Sequence, residues 1–260
     1  MQLESESLGV EGIPMTHPTR FMRNILADPG DDEPRLQYAN WLDGCGNPLG
    51  EFIRLQCTFA RTHAAPPSLY DERREQELLA KFRSVWSQSM TGCVEWGSFR
   101  RGFIEEVSLT DRQLIRNANE LFHLAPVRDM HLKTDGRRLD NLLRVRNLRH
   151  TIFLDVSAQG LGDDGIARLA EAPLLEHVHG LNLGSCHLGD DGLEVLADSP
   201  HLEALRELYL NDNPITDDGV RQFVMSPIAE RLNVLDMRST RITDESVAIL
   251  RHVLEWKVLV

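Results

Sequence analysis

The stretch LNLGSCHLGDDGLEVL, beginning at Leu181, has three counterparts at a fixed spacing of 27 residues: LDVSAQGLGDDGIARL from Leu154, LYLNDNPITDDGVRQF from Leu208 and LDMRSTRITDESVAIL from Leu235. Five apolar columns hold without a gap. Leu154, Leu181, Leu208 and Leu235 form the first, and Val156, Leu183, Leu210 and Met237 the second. Leu161, Leu188, Ile215 and Ile242 follow, then Ile166, Leu193, Val220 and Val247, then Leu169, Leu196, Phe223 and Leu250. The first two columns lie two residues apart, as in a strand that turns both side chains to one face. The last two have helical spacing and follow the acidic pairs Asp163/Asp164, Asp190/Asp191, Asp217/Asp218 and Asp244/Glu245. Asp190 and its counterparts read as N-caps, accepting a backbone N–H of their own helix. The second acid of each pair places favourable charge at the positive end of the helix dipole.

Each unit resembles the leucine-rich-repeat formula L-x-x-L-x-L-x-x-N/C-x-L, whose period range includes 27 residues. Gln159, Cys186, Asn213 and Thr240 hold the position at which that family satisfies backbone groups in the turn leaving the strand. Asn213 and Cys186 fit best. The resemblance implies an α/β fold: a leucine-rich-repeat solenoid with parallel strands on a concave face and helices on a convex face. Met130–Leu132 and Val107–Leu109 read as strands of two irregular entry repeats, 24 and 23 residues from the strand that follows each. The apolar end WKVLV should close the last repeat.

Residues 16–62 read as three short helices. Thr16 and Pro18 start the first, Asp32 precedes the second, which runs through RLQYANWL to Gly44 or Gly46, and Asn47–Pro48 opens the third, with Leu49, Phe52, Ile53 and Phe59 facing a core. Pro66–Pro67 marks a break, and Ser68 caps a longer helix with Leu78, Phe82, Val85 and Trp86 on one side. The run Ala27-Asp28-Pro29, Asp31-Asp32, Pro34-Arg35-Leu36, Tyr38-Ala39-Asn40-Trp41-Leu42 and Glu51-Phe52-Ile53-Arg54-Leu55-Gln56 resembles the repeat-companion module that precedes repeat arrays in planctomycetes and myxobacteria. Asn40, where that family has Asp, and Cys45 depart from its pattern. Trp41 is expected in the module core and Arg35 bonded to nearby carboxylates. The module and the helix of residues 69–89 are expected to cap the repeats. The domain reading is a disordered tail over 1–14 (with Met15 a second candidate start), the module over 15–62, a linker and long helix over 63–95, entry repeats over 96–149 and regular repeats over 150–260.

The net charge of −12 is uneven: residues 150–260 carry 19 Asp+Glu against 8 Lys+Arg, whereas residues 100–149 carry 11 basic and 7 acidic groups. The acidic back half disfavours broad contact with nucleic acid there. Cys45, Cys57, Cys93 and Cys186 form no C-x-x-C pair, which points to a reducing, cytoplasmic setting rather than a disulfide framework or zinc site. No stretch has the roughly 20 apolar residues of a membrane helix. No catalytic, phosphate-loop or dinucleotide motif is visible, so no enzyme activity, cofactor or metal is expected. The stacked Asp pairs suit a cation by ligand type, but capping once per repeat is the favoured reading. His177, His179, Cys186 and His187 lack a diagnostic fourth-ligand spacing.

These readings point to a non-catalytic protein-interaction scaffold. Partner-binding residues are expected where strand side chains point away from the leucines: Phe153, Asp155, Asn182, Tyr209, Asn211, Asp236 and Arg238. Tyr209 and Phe153 would anchor a partner, and the acidic surroundings favour a basic protein. The alternative is a nucleic acid or other polyanion bound by Arg137, Arg138, Arg144, Arg146 and Arg149 in the segment 137–149.

Overall fold

The computed structural model describes residues 19–61, 67–254 and 258–259. The tail expected over 1–14, the helix-start residues Thr16–Pro18, Pro66, and Trp256 and Lys257 of the apolar end lie outside them. The described residues fall in two compact units: those up to Val107 with Asn119–Val127, and Ser108–Ala118 with those from Arg128 onward.

In the first unit, α1 (Thr19–Ala27), α2 (Glu33–Gly44), α3 (Leu49–Arg61) and α4 (Leu69–Trp86) follow the expected order. Ser68 caps α4, its hydroxyl accepting the Asp71 N–H. Two strands follow, β1 (Trp96–Arg100) and β2 (Phe103–Thr110), and then α5 (Asp111–Leu124). β1 has no counterpart among the expected elements: its alternation is broken by Gly97 and Ser98, which hide the strand signal. The turn Arg101–Gly102 has φ values of 49° and 87°, the left-handed pair that two-residue hairpin turns require. Gly102 is also packed so closely that a Cβ would stand 2.3 Å from Ile53 Cγ1, and its N–H donates to Gln56 Oε1 at 2.7 Å.

The core of this unit joins Ile25, Tyr38, Leu42, Phe52, Ile53, Cys57, Leu78 and Phe103. Phe52 meets Trp86 and Phe99 at ring-centroid distances of 4.8 and 5.6 Å. Trp41 is half-buried against Phe21 and Tyr38, and Phe59 is half-buried too. Val85, expected on the apolar side of α4, is exposed, because the contact is made by Leu78, Phe82 and Trp86 one turn apart. Arg35 is wholly buried and pairs with Glu105 Oε1, while Arg101 holds Glu105 Oε2 at 2.7 Å.

The second unit is a run of strand–helix repeats. β3 (Asp129–Lys133), β4 (Phe153–Asp155), β5 (Gly180–Asn182), β6 (Glu207–Tyr209), β7 (Val234–Asp236) and β8 (Val258–Leu259) pair in parallel in chain order. Leu154, Leu181, Leu208 and Leu235 stand directly opposite one another, so the sequence columns are the strand register. Met130 continues that rung one strand earlier. The apolar end contributes β8, which pairs with β7. The helices are α6 (Leu139–Leu143), α7 (Gly162–Ala170), α8 (Asp190–Ala197), α9 (Asp217–Phe223), α10 (Pro227–Arg231) and α11 (Asp244–Leu254). Column residues in the middle repeats are fully buried, whereas Leu161, Ile242 and Val247 in the first and last are half-buried.

The acidic pairs act differently from the expectation. The first acid of each pair lies inside its helix, and the N-caps are Leu161, Gly189 and Thr216. Its carboxylate accepts from the next repeat instead. Asp163 takes the Gly189 N–H at 2.7 Å, Asp190 takes Thr216 N–H and Oγ1–H at 2.8 and 2.6 Å, and Asp217 takes Thr243 N–H and Oγ1–H at 2.8 and 2.9 Å. One turn of chain therefore satisfies the orphan donors at the start of its neighbour's helix. Gly192 and Gly219, third in the second and third D-D-G runs, make room: a Cβ there would stand 2.4 Å from the Asp163 or Asp190 oxygen. In the last repeat that place is taken by Ser246. Its buried hydroxyl does not meet hydrogen-bond geometry, yet it is the largest influence holding the Asp217 carboxyl below its usual value, followed by the Thr243 N–H.

Gly192→Ala should destabilise the second unit by about 1–3 kcal/mol, because the new methyl displaces the Asp163 carboxylate, and chemical denaturation will measure it. An unchanged midpoint would show that the ladder yields without cost. Asp217 is depressed in the folded state, so its contribution is complete above the unfolded value of about 3.9 and is lost as pH falls through the lower folded value. Asp217→Asn should therefore be less stable than wild type at neutral pH, with the difference closing in acid. A difference independent of pH would rule the linkage out.

Candidate binding face on the parallel sheet

The strand residues flanking the leucines form two rungs across the second unit. His131, Asp155, Asn182, Tyr209, Asp236 and Leu259 share the central rung by register. Asp129, Phe153, Gly180, Glu207 and Val234 share the rung before it. Asn211 and Arg238 lie two residues beyond the central rung, in the turns after β6 and β7.

Three of the four residues expected on the central rung are occupied by the turn that ends their strand. Asp155 Oδ1 accepts the Ser157 N–H at 2.8 Å, Asn182 Oδ1 the Gly184 N–H at 3.0 Å, and Asp236 Oδ1 the Arg238 N–H at 3.0 Å. Each is the local side-chain turn that Asp and Asn favour. The residue after each of Ser157, Gly184, Asn211 and Arg238 then turns left-handed: Ala158, Ser185, Asp212 and Ser239 have φ of 55–59°. Tyr209 stands where the other repeats have Asp or Asn, and its side chain cannot close such a turn.

Asp236 departs from the expectation of an open face. It is only 2% exposed, and Arg238 closes over it with Nε 2.9 Å from Oδ1. Burial raises the Asp236 carboxyl, but the Arg238 side chain, its N–H and its charge outweigh that and leave it below the usual value. Arg238 is exposed and held by this pair. Asn211 leans over Gly184, where a Cβ would stand 2.8 Å from Asn211 Oδ1, and its amide donates to Asp212.

Phe153 and Tyr209, two strands apart, meet. Their ring centroids are 6.1 Å apart at 64°, an edge-to-face contact. They reach each other because Gly180 lies between them: a Cβ there would stand 2.3 Å from Phe153 Cδ2. The Tyr209 hydroxyl donates to Glu207 Oε2 at 3.1 Å, and burial, then Glu207, raises its pKa. The sequence reading missed His131, whose Nδ1 lies 3.0 Å from Asp155 Oδ2. The signal was there: Met130 opens a rung before Leu154, but the 24-residue spacing kept it out of the columns.

The turn column behaves as a backbone anchor. Asn213 is buried, its amide donating to Leu183 O and Leu210 O at 2.8 and 2.9 Å and its oxygen accepting from Cys186 and Leu188 N–H at 3.0 Å each. Cys186 Sγ–H donates to Val156 O, Gln159 accepts the Thr134 N–H, and Thr240 donates to Met237 O. Residues 175–197 and 201–224 match the leucine-rich-repeat family model. The match supports a leucine-rich-repeat protein, and such repeats generally mediate protein–protein interaction. No curated protein matches the chain.

Other candidate chemistry is dispersed. His177, His179 and His187 are exposed while Cys186 is buried and bonded, and no described group of three or more His, Cys, Asp or Glu is arranged for a metal ion. Burial pushes the Cys57 thiol up to about 12, so it stays protonated at neutral pH. No described helix is long and apolar enough to cross a membrane. The segment 137–149, the alternative polyanion site, spans α6 and the start of a 3-10 turn over Arg146–His150.

Gly180→Ala should push Phe153 off its strand and break its contact with Tyr209, with the near-ultraviolet circular dichroism of the tyrosine changing while the far-ultraviolet spectrum is retained. Identical near-ultraviolet spectra would mean the two rings do not depend on this glycine.

Proposed function

We propose that the chain is a non-catalytic interaction scaffold. In this reading the parallel sheet lines the concave face of a leucine-rich-repeat solenoid, and a protein partner docks around Phe153 and Tyr209. The observation that carries it is the Phe153–Tyr209 pair, the two large aromatic side chains among the rung residues from Asp129 to Arg238. A paired set of rings buries a large area with few torsions left to freeze, and aromatic residues dominate measured hot spots. Asp155 and Glu207 flank the pair, which favours a basic segment and speeds its approach. Asn182 through Nδ2 and Asn211 through Oδ1, the groups their own turns do not use, supply hydrogen bonds at its rim, whereas Asp236 and Arg238 serve each other.

Residues 15–62 serve in this proposal as the repeat-companion module, with the regular repeats over 150–260 carrying the binding surface. A cytoplasmic location accompanies it, supported by four cysteines that are all free thiols.

Affinity capture from the native organism with wild type and Tyr209→Ala side by side tests the proposal. Tyr209→Ala should fold normally and weaken the captured partner by about 2 kcal/mol, roughly 30-fold in Kd. Wild-type affinity in Tyr209→Ala, with binding lost on substituting Arg137, Arg138 and Arg144, would move the site to the basic segment.

A further inference from the structure

The 27-residue register also orders an exposed surface of the second unit away from the rungs. Leu148, Leu175, Leu202 and Ala229 are buried at one position per repeat. The residue after each is exposed, and the column reads Arg149, Glu176, Glu203, Glu230. Five positions earlier the exposed column reads Arg144, Glu171, Asp198, Met225. Both columns open on arginine and turn acidic one repeat later.

These charges are largely uncompensated among the described residues. Among the described residues Arg144 and Arg146 have no ion pair, and the bond Arg149 makes is to Nε2 of His150 at 3.3 Å. Burial first, then Arg149 and His177, keeps the His150 imidazole below its usual pKa, as expected beside unneutralised cations. On the acidic side His201 takes Glu176 at 3.0 Å. Glu171, Glu203 and Glu230 have no such partner among the described residues.

The alternation decides what kind of partner fits. Neighbouring strands lie about 5 Å apart, so the acids of the next two repeats stand within roughly one Debye length of the arginines. A uniform polyanion laid on Arg144, Arg146 and Arg149 would run onto those acids and be repelled. A bipolar surface with the signs reversed meets both zones. The chain itself carries such a surface, and a two-fold axis brings each zone of one copy against the opposite zone of the other.

We infer that a second copy of this chain docks on this surface, the arginine zone of each copy facing Glu171, Glu203 and Glu230 of the other. The net charge of −12 opposes association at long range, so the dimer depends on contact pairs and weakens with salt.

Sedimentation equilibrium of the full chain over a concentration series tests this. Wild type should form a dimer at low salt and lose it at roughly 0.5 M salt, where the screening length falls towards 3 Å. The triple variants Arg144→Glu/Arg146→Glu/Arg149→Glu and Glu171→Lys/Glu203→Lys/Glu230→Lys should each be monomeric, with unchanged circular dichroism because all six positions are exposed. Mixed in equal amounts, the two variants should regain the dimer, since the reversed zones again meet opposite charge. A wild type that is monomeric at low salt, a dimer insensitive to both variants, or a mixture that stays monomeric overturns the inference. So does a monomeric wild type that binds duplex DNA through the three arginines.

Discussion

Stacking one turn of chain on another leaves each turn with backbone donors and acceptors that neither a helix nor a strand satisfies, and a buried group left so costs about 1–3 kcal/mol. The second unit answers this with two polar columns, one buried at Asn213 and one half-buried at the helix starts. Asn213 closes four backbone groups drawn from two successive repeats. Asp163, Asp190 and Asp217 each close the helix start of the repeat that follows. Both columns bind a repeat to its neighbour, Asn213 bonding its own repeat as well, so a single repeat is incomplete and the array is the unit of stability. The apolar columns supply driving force; the polar ones fix the register, since a slip of one residue would strand every one of these bonds.

The first unit concentrates its polar cost in one place. Arg35 and Glu105 are both buried, and Arg101 shares the carboxylate. Such a pair adds little over a well-packed apolar pair, but either partner left alone is a bare buried charge. Asp32 extends the network, with Oδ2 accepting from Arg61 Nε at 2.8 Å. The Asp-Asp-x-Pro-Arg stretch that suggested the companion module therefore has a physical role. It ties α2 and the loop before it to the hairpin of β1 and β2 in the same unit.

How much of this was legible depended on whether a residue's role repeats. Strand positions, helix positions and the turn column were readable because four copies align without gaps. The acids were assigned to the wrong helix because sequence spacing shows a residue's neighbours along the chain, whereas their bonds span 26 residues across it. Asp236 looked solvent-facing because alternation places it outward, and nothing local reveals that Arg238 folds back over it. His131 sat in a repeat of different length, and β1 carries glycine and serine where a strand signal needs bulk. The Phe153–Tyr209 contact was hidden for a related reason. Two residues 56 apart in sequence meet only because a glycine on the strand between them has no side chain.

In a repeat protein the shared residues are the ones the architecture consumes. Asp155, Asn182 and Asp236 are engaged by their own turns, Asn213 by two successive repeats, and Gly192 and Gly219 by the carboxylate of the preceding repeat. What a repeat can offer to another molecule must then lie where one copy breaks the common pattern without loss of stability. Tyr209 does so on the central rung, replacing a turn-forming residue with a ring that finds Phe153 and Glu207. Arg144 and Arg149 do so in columns that are otherwise mostly acidic. Conformity to the repeat marks what holds the molecule together, and these exceptions mark the surface available for recognition.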